Sequence, residues 1–213
     1  MALFDYTILH WSTFLTAAVL LNLSPGPDIA FILGQTIRGG RKSGFAAMGG
    51  IWTGALVHAS FAAAGLSAIL ASSATAFAAV KWAGAAYLIY LGIKALRSRG
   101  GSFVSEAQSG LVSALVIWRQ GVFVSLLNPK VAIFFLAFLP QFVVEGAGPI
   151  WAQLFLHGLL IIVVAGLIEP PLVLLGEKLT EGLRERPNLG MWMDRCLGTL
   201  LIGLGIRLAL QQK

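Results

Sequence analysis

The sequence predicts an all-α integral membrane protein of six transmembrane helices, arranged as two inverted three-helix repeats, with helices 1 and 4 broken. Three observations carry this prediction. Of 213 residues, 57% are hydrophobic and only 11% charged, whereas a soluble domain carries about 25% charged residues. Apolar runs long enough to cross a hydrocarbon core of about 30 Å as helix recur along the chain. They are continuous rather than alternating, which argues against transmembrane strands. Finally, the two halves resemble each other helix by helix, and a proline-containing break interrupts each.

The first helix is expected over about 6–37 and is interrupted by Ser24-Pro25-Gly26-Pro27-Asp28. Two prolines remove two backbone donors and disfavour helix at Ser24 and Gly26. The chain must unwind at membrane depth, where irregular backbone is tolerated only when buried in protein or lining a wet cavity. The second and third helices are expected over about 45–70 and 77–96, followed by a polar Gly/Ser-rich linker, Arg97–Gly110. A fourth, about 118–142, is broken at Asn128-Pro129. A fifth covers about 150–175, where Pro170-Pro171 predicts another break, and a sixth about 192–210. The charged stretch Glu177–Pro187 reads as a solvated loop.

Orientation follows from Lys and Arg. The odd-numbered loops hold Arg38, Arg41 and Lys42, then Lys94, Arg97, Arg99 and Arg119, then Lys178, Arg184, Arg186 and Arg195, which is 11 of the 15. The other side has Lys81, Arg207 and Lys213, while Lys130 lies within the membrane. The odd loops are therefore expected in the cytoplasm and both termini outside it. No Lys or Arg precedes the first apolar run, so no signal peptide is expected there. The net charge of +6 resides in loops without an aromatic-basic platform, which argues against nucleic acid. The single cysteine, Cys196, excludes an internal disulfide or a dithiol pair.

The repeats are expected over about 1–97 and 110–213 of a single transmembrane domain. Pro27-Asp28-Ile29-Ala30-Phe31 aligns with Pro129-Lys130-Val131-Ala132-Ile133 at an offset of 102. Ile51-Trp52 and His58 align with Ile150-Trp151 and His157 at 99, and Leu88–Lys94 with Leu201–Arg207 at 113. Three helices per repeat force the halves into opposite orientations. That plan places substrate near the midplane, at the repeat interface.

The candidate site is therefore the pair of breaks: Ser24, Pro25, Gly26, Pro27 and Asp28 in one half, and Asn128, Pro129 and Lys130 in the other. Pro27 and Pro129 open new half-helices, with Ser24 and Asn128 as suitable caps. Half-helix N-termini favour an anion such as a carboxylate. Asp28 suits a helix start, but Lys130 does not and wants a negative partner, so an Asp28–Lys130 pair is expected, direct or through substrate. Asp28 either receives a substrate ammonium or carries a coupling proton. Glu169 is a further candidate for gating or coupling, against a bland interfacial placement. His58 and His157 either line the pathway or bridge helices. The face Gly50-x3-Gly54 suits close packing within the chain or between copies in a homo-oligomer. The six tryptophans read mostly as interface anchors.

These features resemble the LysE/RhtB family of bacterial amino-acid exporters. The resemblance rests on Asn22-Leu23-Ser24-Pro25-Gly26-Pro27-Asp28, the Gly-rich second helix after Arg38–Gly50, Gly84–Leu96, Leu127-Asn128-Pro129-Lys130 and Phe138-Leu139-Pro140-Gln141-Phe142. It implies export of threonine-, homoserine-, leucine- or lysine-like amino acids across the bacterial inner membrane, driven by protons. The alternative is another small solute or a metal ion. No cofactor is implied and no enzymatic activity is expected: neither a nucleophile nor a metal constellation stands beside His58 or His157. A thiol-disulfide conduit would need paired cysteines.

Overall fold

The computed structural model describes residues 6–23, 26–66, 74–97, 112–176 and a further subset between 178 and 210. Every described element is helical or a turn. α1 spans Ile8–Leu23, α2 Pro27–Phe61 and α3 Ala74–Leu96. α4 spans Ala114–Leu126, α5 Pro129–Ile133 and α6 Ile150–Leu174. α2 continues through a π-helical turn, Ala62–Leu66, and α5 through turns Phe134–Phe138 and Leu139–Phe142. Every described residue within 191–210 is helical. The linker around 98–111 and the loop 179–190 lie outside the described residues.

Two helical stretches, Pro27–Gly65 and Ile150–Leu174, are long and apolar enough to cross a membrane. α4 and the segment Lys130–Phe142 make a third if counted as one span bent by 53°. On α6, Val163 and Leu167 face outward, 52% and 75% exposed. Such an apolar exterior suits lipid. Inside a bilayer the force between helices is close packing rather than exclusion of water. The interior accordingly interlocks large rings with small residues. One cluster gathers Phe14, Phe134, Phe138 and Phe142 with Leu154. The second packs Ile32, Ile51 and Ile117 against Val173.

The proline breaks expected in the first and fourth helices are present. α1 ends at Leu23 and α2 starts at Pro27, while α4 ends at Leu126 and α5 starts at Pro129. Two other expectations are corrected. The basic loop between the first two helices is reduced to one residue: Gly40, at φ 70° and ψ −172°, kinks an otherwise helical run. Glycine alone enters that conformation without steric cost. At Pro170-Pro171 α6 runs on to Leu174. Proline's fixed φ is helical, so a proline removes a donor without necessarily ending the helix.

α2 is the hub, packing on both α4 and α6. At its crossing with α4 a Cβ on Gly50 would strike Trp118 O and Gly121 Cα, and one on Gly54 would strike Ser125. The Gly50-x3-Gly54 face thus serves packing within the chain. The segment 191–210 meets α3 through glycines too: Gly92 abuts Gly198 and Ile202, and Gly205 abuts Ala85 and Ile89.

Candidate functional site

Each proline break leaves carbonyls without helical donors. In α1 the Leu21 carbonyl would accept from residue 25 and the Leu23 carbonyl from residue 27, but both are prolines. In α4 the Ser125 carbonyl loses the same donor at Pro129 and accepts instead from Asn128 N at 3.1 Å. Side chains from elsewhere supply donors. Lys130 Nζ points to Leu21 O at 3.4 Å, placing an ammonium at the negative end of α1. His58 Nε2 lies 3.2 Å from Ser125 O. A carbonyl only accepts, so the His58 ring donates.

Asn128 occupies the N-cap of α5, where its Oδ1 accepts from Lys130 N at 3.0 Å. Its Nδ2 donates to Asp28 Oδ1 at 2.8 Å. One amide thereby caps a helix and ties the two breaks together, and it is 2% exposed. The cap of α2 differs from the expectation. The N-cap is Gly26, whose backbone is extended and which offers no side-chain bond, because the residue directly before Pro27 holds that position. Ser24 and Pro25 lie outside the described residues. Gly26 has a second role: a Cβ there would stand 3.1 Å from Lys130 Nζ.

Asp28 and Lys130, from opposite breaks, line one cavity of about 40 Å³. Asn22, Glu169 and an apolar wall including Ile51, Phe135, Ile161 and Ile162 complete it. Asn22 Nδ2 donates to Ala18 O at 2.8 Å and Ile161 O at 3.3 Å, holding α1 to α6. Glu169, 4% exposed, accepts from Trp52 Nε1 at 2.6 Å. Trp52 is therefore no interface anchor, and its role was invisible in a composition-based reading of tryptophans. The signal available was its place in the repeated Ile-Trp pattern, whose second copy, Trp151, lies in the helix that carries Glu169.

His58 and His157 are not among the cavity-lining side chains. His58 stacks on Phe135, with centroids 5.9 Å apart. His157, 1% exposed, sits in a separate polar-aromatic knot. Its Nδ1 donates to Gln153 O at 2.7 Å, and its Nε2 meets His10 Nε2 at 2.8 Å. Tyr6 OH donates to Gln153 Oε1 at 3.1 Å, and Trp11, Phe14 and Phe142 pack their rings around His157. His10 and Tyr6 lie outside the three aligned segments of the repeat, so nothing in that pattern pointed to them. Among the described residues, no group of three or more His, Cys, Asp or Glu could hold a metal ion.

Known proteins match this chain over nearly its whole length. The LysE type translocator family matches residues 19–212. A leucine efflux protein of Salmonella typhimurium is 28% identical over 208 residues, covering 98% of both chains. One from Klebsiella pneumoniae matches to the same extent. An "uncharacterized membrane protein" of Vibrio cholerae is 29% identical over 199 residues, 93% of this chain and 96% of its own. No solved structure matches. With the family covering both breaks and nearly the whole chain, the protein belongs to the LysE type translocators, a family of membrane transport proteins.

Proposed function

We propose that the protein is a secondary transporter that exports an amino acid with an aliphatic side chain, of the leucine type, from the cytoplasm. Proton influx drives it. The observation that carries this reading is the cavity between the breaks. It places a carboxylate, Asp28, and an ammonium, Lys130, beside a wall of isoleucine and phenylalanine. That is the complement of a zwitterion with an apolar side chain. Asp28 takes the substrate ammonium and Lys130 its carboxylate. The names of the Salmonella and Klebsiella relatives support both the substrate class and the outward direction.

A cavity of about 40 Å³ is far below the roughly 300–1,000 Å³ of ordinary ligand pockets. A site this small fits a closed form, in which helices must part to admit substrate. Alternating access by two inverted three-helix repeats, with six spans in all, accounts for this. Reciprocal contacts support that plan. Asn128 meets Asp28, and at the offset of 102 their counterparts Gly26 and Lys130 also meet. Gly92 abuts Gly198 and Ile202, and at 113 Gly205 abuts Ala85 and Ile89. Gly158 abuts Ala59, its own counterpart at 99. The bias of Lys and Arg to the odd loops supports a bacterial inner-membrane placement with both termini outside.

Inverted membrane vesicles test the reading. Labelled leucine should accumulate when a proton gradient is imposed, and accumulation should vanish in Asp28→Asn. Well-folded protein that carries no amino acid from a broad panel would sink the substrate assignment.

A further inference from the structure

We propose that Glu169 is the coupling residue, and that its carboxyl is satisfied alternately by a proton and by the substrate ammonium. The inference rests on the amino-acid reading above for the second of those cations, but not for the first. Three charged side chains line the cavity among the described residues: Asp28, Lys130 and Glu169. The two carboxylates are not equivalent. Asp28 lies in the first turn of α2, where the helix end is positive, and it accepts from the Asn128 amide. Glu169 lies inside α6, five residues from one end and nineteen from the other. Its one described donor is the indole of Trp52, which is neutral and can serve a carboxylate or the carbonyl oxygen of a carboxylic acid.

A buried carboxylate needs a cation or a proton. α2 presents Asp28 to the cavity and Trp52 to Glu169, α5 presents Lys130, and the end of α1 presents the neutral Asn22. Lys130 is directed to the Leu21 carbonyl at the end of α1 and stands against Gly26. In the closed, substrate-free form a proton on Glu169 meets the need. When the cavity opens to the cytoplasm that proton leaves, and the substrate ammonium enters between Glu169 and Asp28. When it opens outward the ammonium departs and a proton returns. One proton then moves inward for each amino acid moved outward, because the same carboxyl oxygens serve both. Trp52 is a positioning residue that holds Glu169 toward the cavity.

Infrared difference spectroscopy on the purified protein in lipid, at mildly acidic pH, reads a protonated carboxyl directly. Wild type should show the carboxylic-acid carbonyl band, and labelled or unlabelled leucine should abolish it. Glu169→Gln should lack the band from the start, Asp28→Asn should keep it, and Glu169→Asp, which retains a carboxyl, should show it shifted. A band that survives in Glu169→Gln, or that disappears in Asp28→Asn instead, overturns the proposal. So does the absence of any carboxylic-acid band in wild type. A band lost in Glu169→Gln but indifferent to leucine in wild type supports Glu169 as the proton site and overturns the leucine reading alone. In vesicles, Glu169→Gln should lose all proton-driven leucine accumulation, and Glu169→Asp should restore part of it. Undiminished accumulation in Glu169→Gln would overturn the proposal independently.

Discussion

At the scale of single residues, Asn128 does two jobs that substitution can separate. Asn128→Ser keeps a cap oxygen for Lys130 N but loses the donor to Asp28. Asn128→Asp keeps the cap and sets a second carboxylate against the first. We expect Asn128→Ser to fold with a loss of about 1 kcal/mol, in line with the lost hydrogen bond, and Asn128→Asp to transport far less. Thermal unfolding in detergent with flux in vesicles checks both. Gly26→Ala should leave the melting temperature near wild type, because its extended backbone suits any residue. Its new methyl, 3.1 Å from Lys130 Nζ, should nonetheless lower transport. Ser125 Oγ is fully buried and has no hydrogen-bond partner among the described groups. Ser125→Ala should therefore raise the melting temperature, since it removes an unsatisfied hydroxyl whose burial costs about 1–3 kcal/mol.

At the scale of elements, glycine contacts set how closely helices approach. Gly121 lies against Ala47 O and Gly50 Cα, so Gly121→Leu has nowhere to put its side chain. Overpacking of this kind costs about 1–3 kcal/mol or more, and a melting temperature unchanged from wild type would show that α2 and α4 can separate freely. The broken helices were legible in the sequence because proline pairs and lone charges are rare at membrane depth. So was the approach of Asp28 and Lys130, through the offset between halves. Other features were not legible. Proline marks a lost donor but not whether neighbours keep the helix going, so α6 continuing past Pro170-Pro171 could not be told from a break. The cap at Gly26 was missed because capping preference by residue type favoured Ser24, while position favours the residue before Pro27. The Trp52–Glu169 and His10–His157 bonds join helices far apart in sequence, and no local pattern encodes them.

For the whole molecule, the orientation is a direct target. With Cys196 replaced by serine, a lone cysteine at position 38 should react with a membrane-impermeant thiol reagent only from the cytoplasmic face, and one at position 149 only from outside. The reverse labelling would turn the protein over and overturn the orientation expected from the Lys and Arg bias. Labelling of both positions from one face would break the helix count. The reciprocal contacts between halves add a further expectation. If the halves exchange shapes during transport, a bulky residue at Gly92 or at Gly205 should impair flux to a similar extent, because each touches the counterpart of what the other touches.

The kink at Gly40 ties these scales together mechanically. On one side of it α2 carries Asp28; on the other it carries Trp52, which grips Glu169. A single residue joins the two arms, and no slack loop intervenes. Such a joint would act as a crankshaft: were Trp52 to let go and its arm to swing, the rotation would have to be absorbed at Gly40 or delivered to Asp28. Release of the grip on Glu169 and displacement of Asp28, the proposed substrate ligand, would then be one stroke.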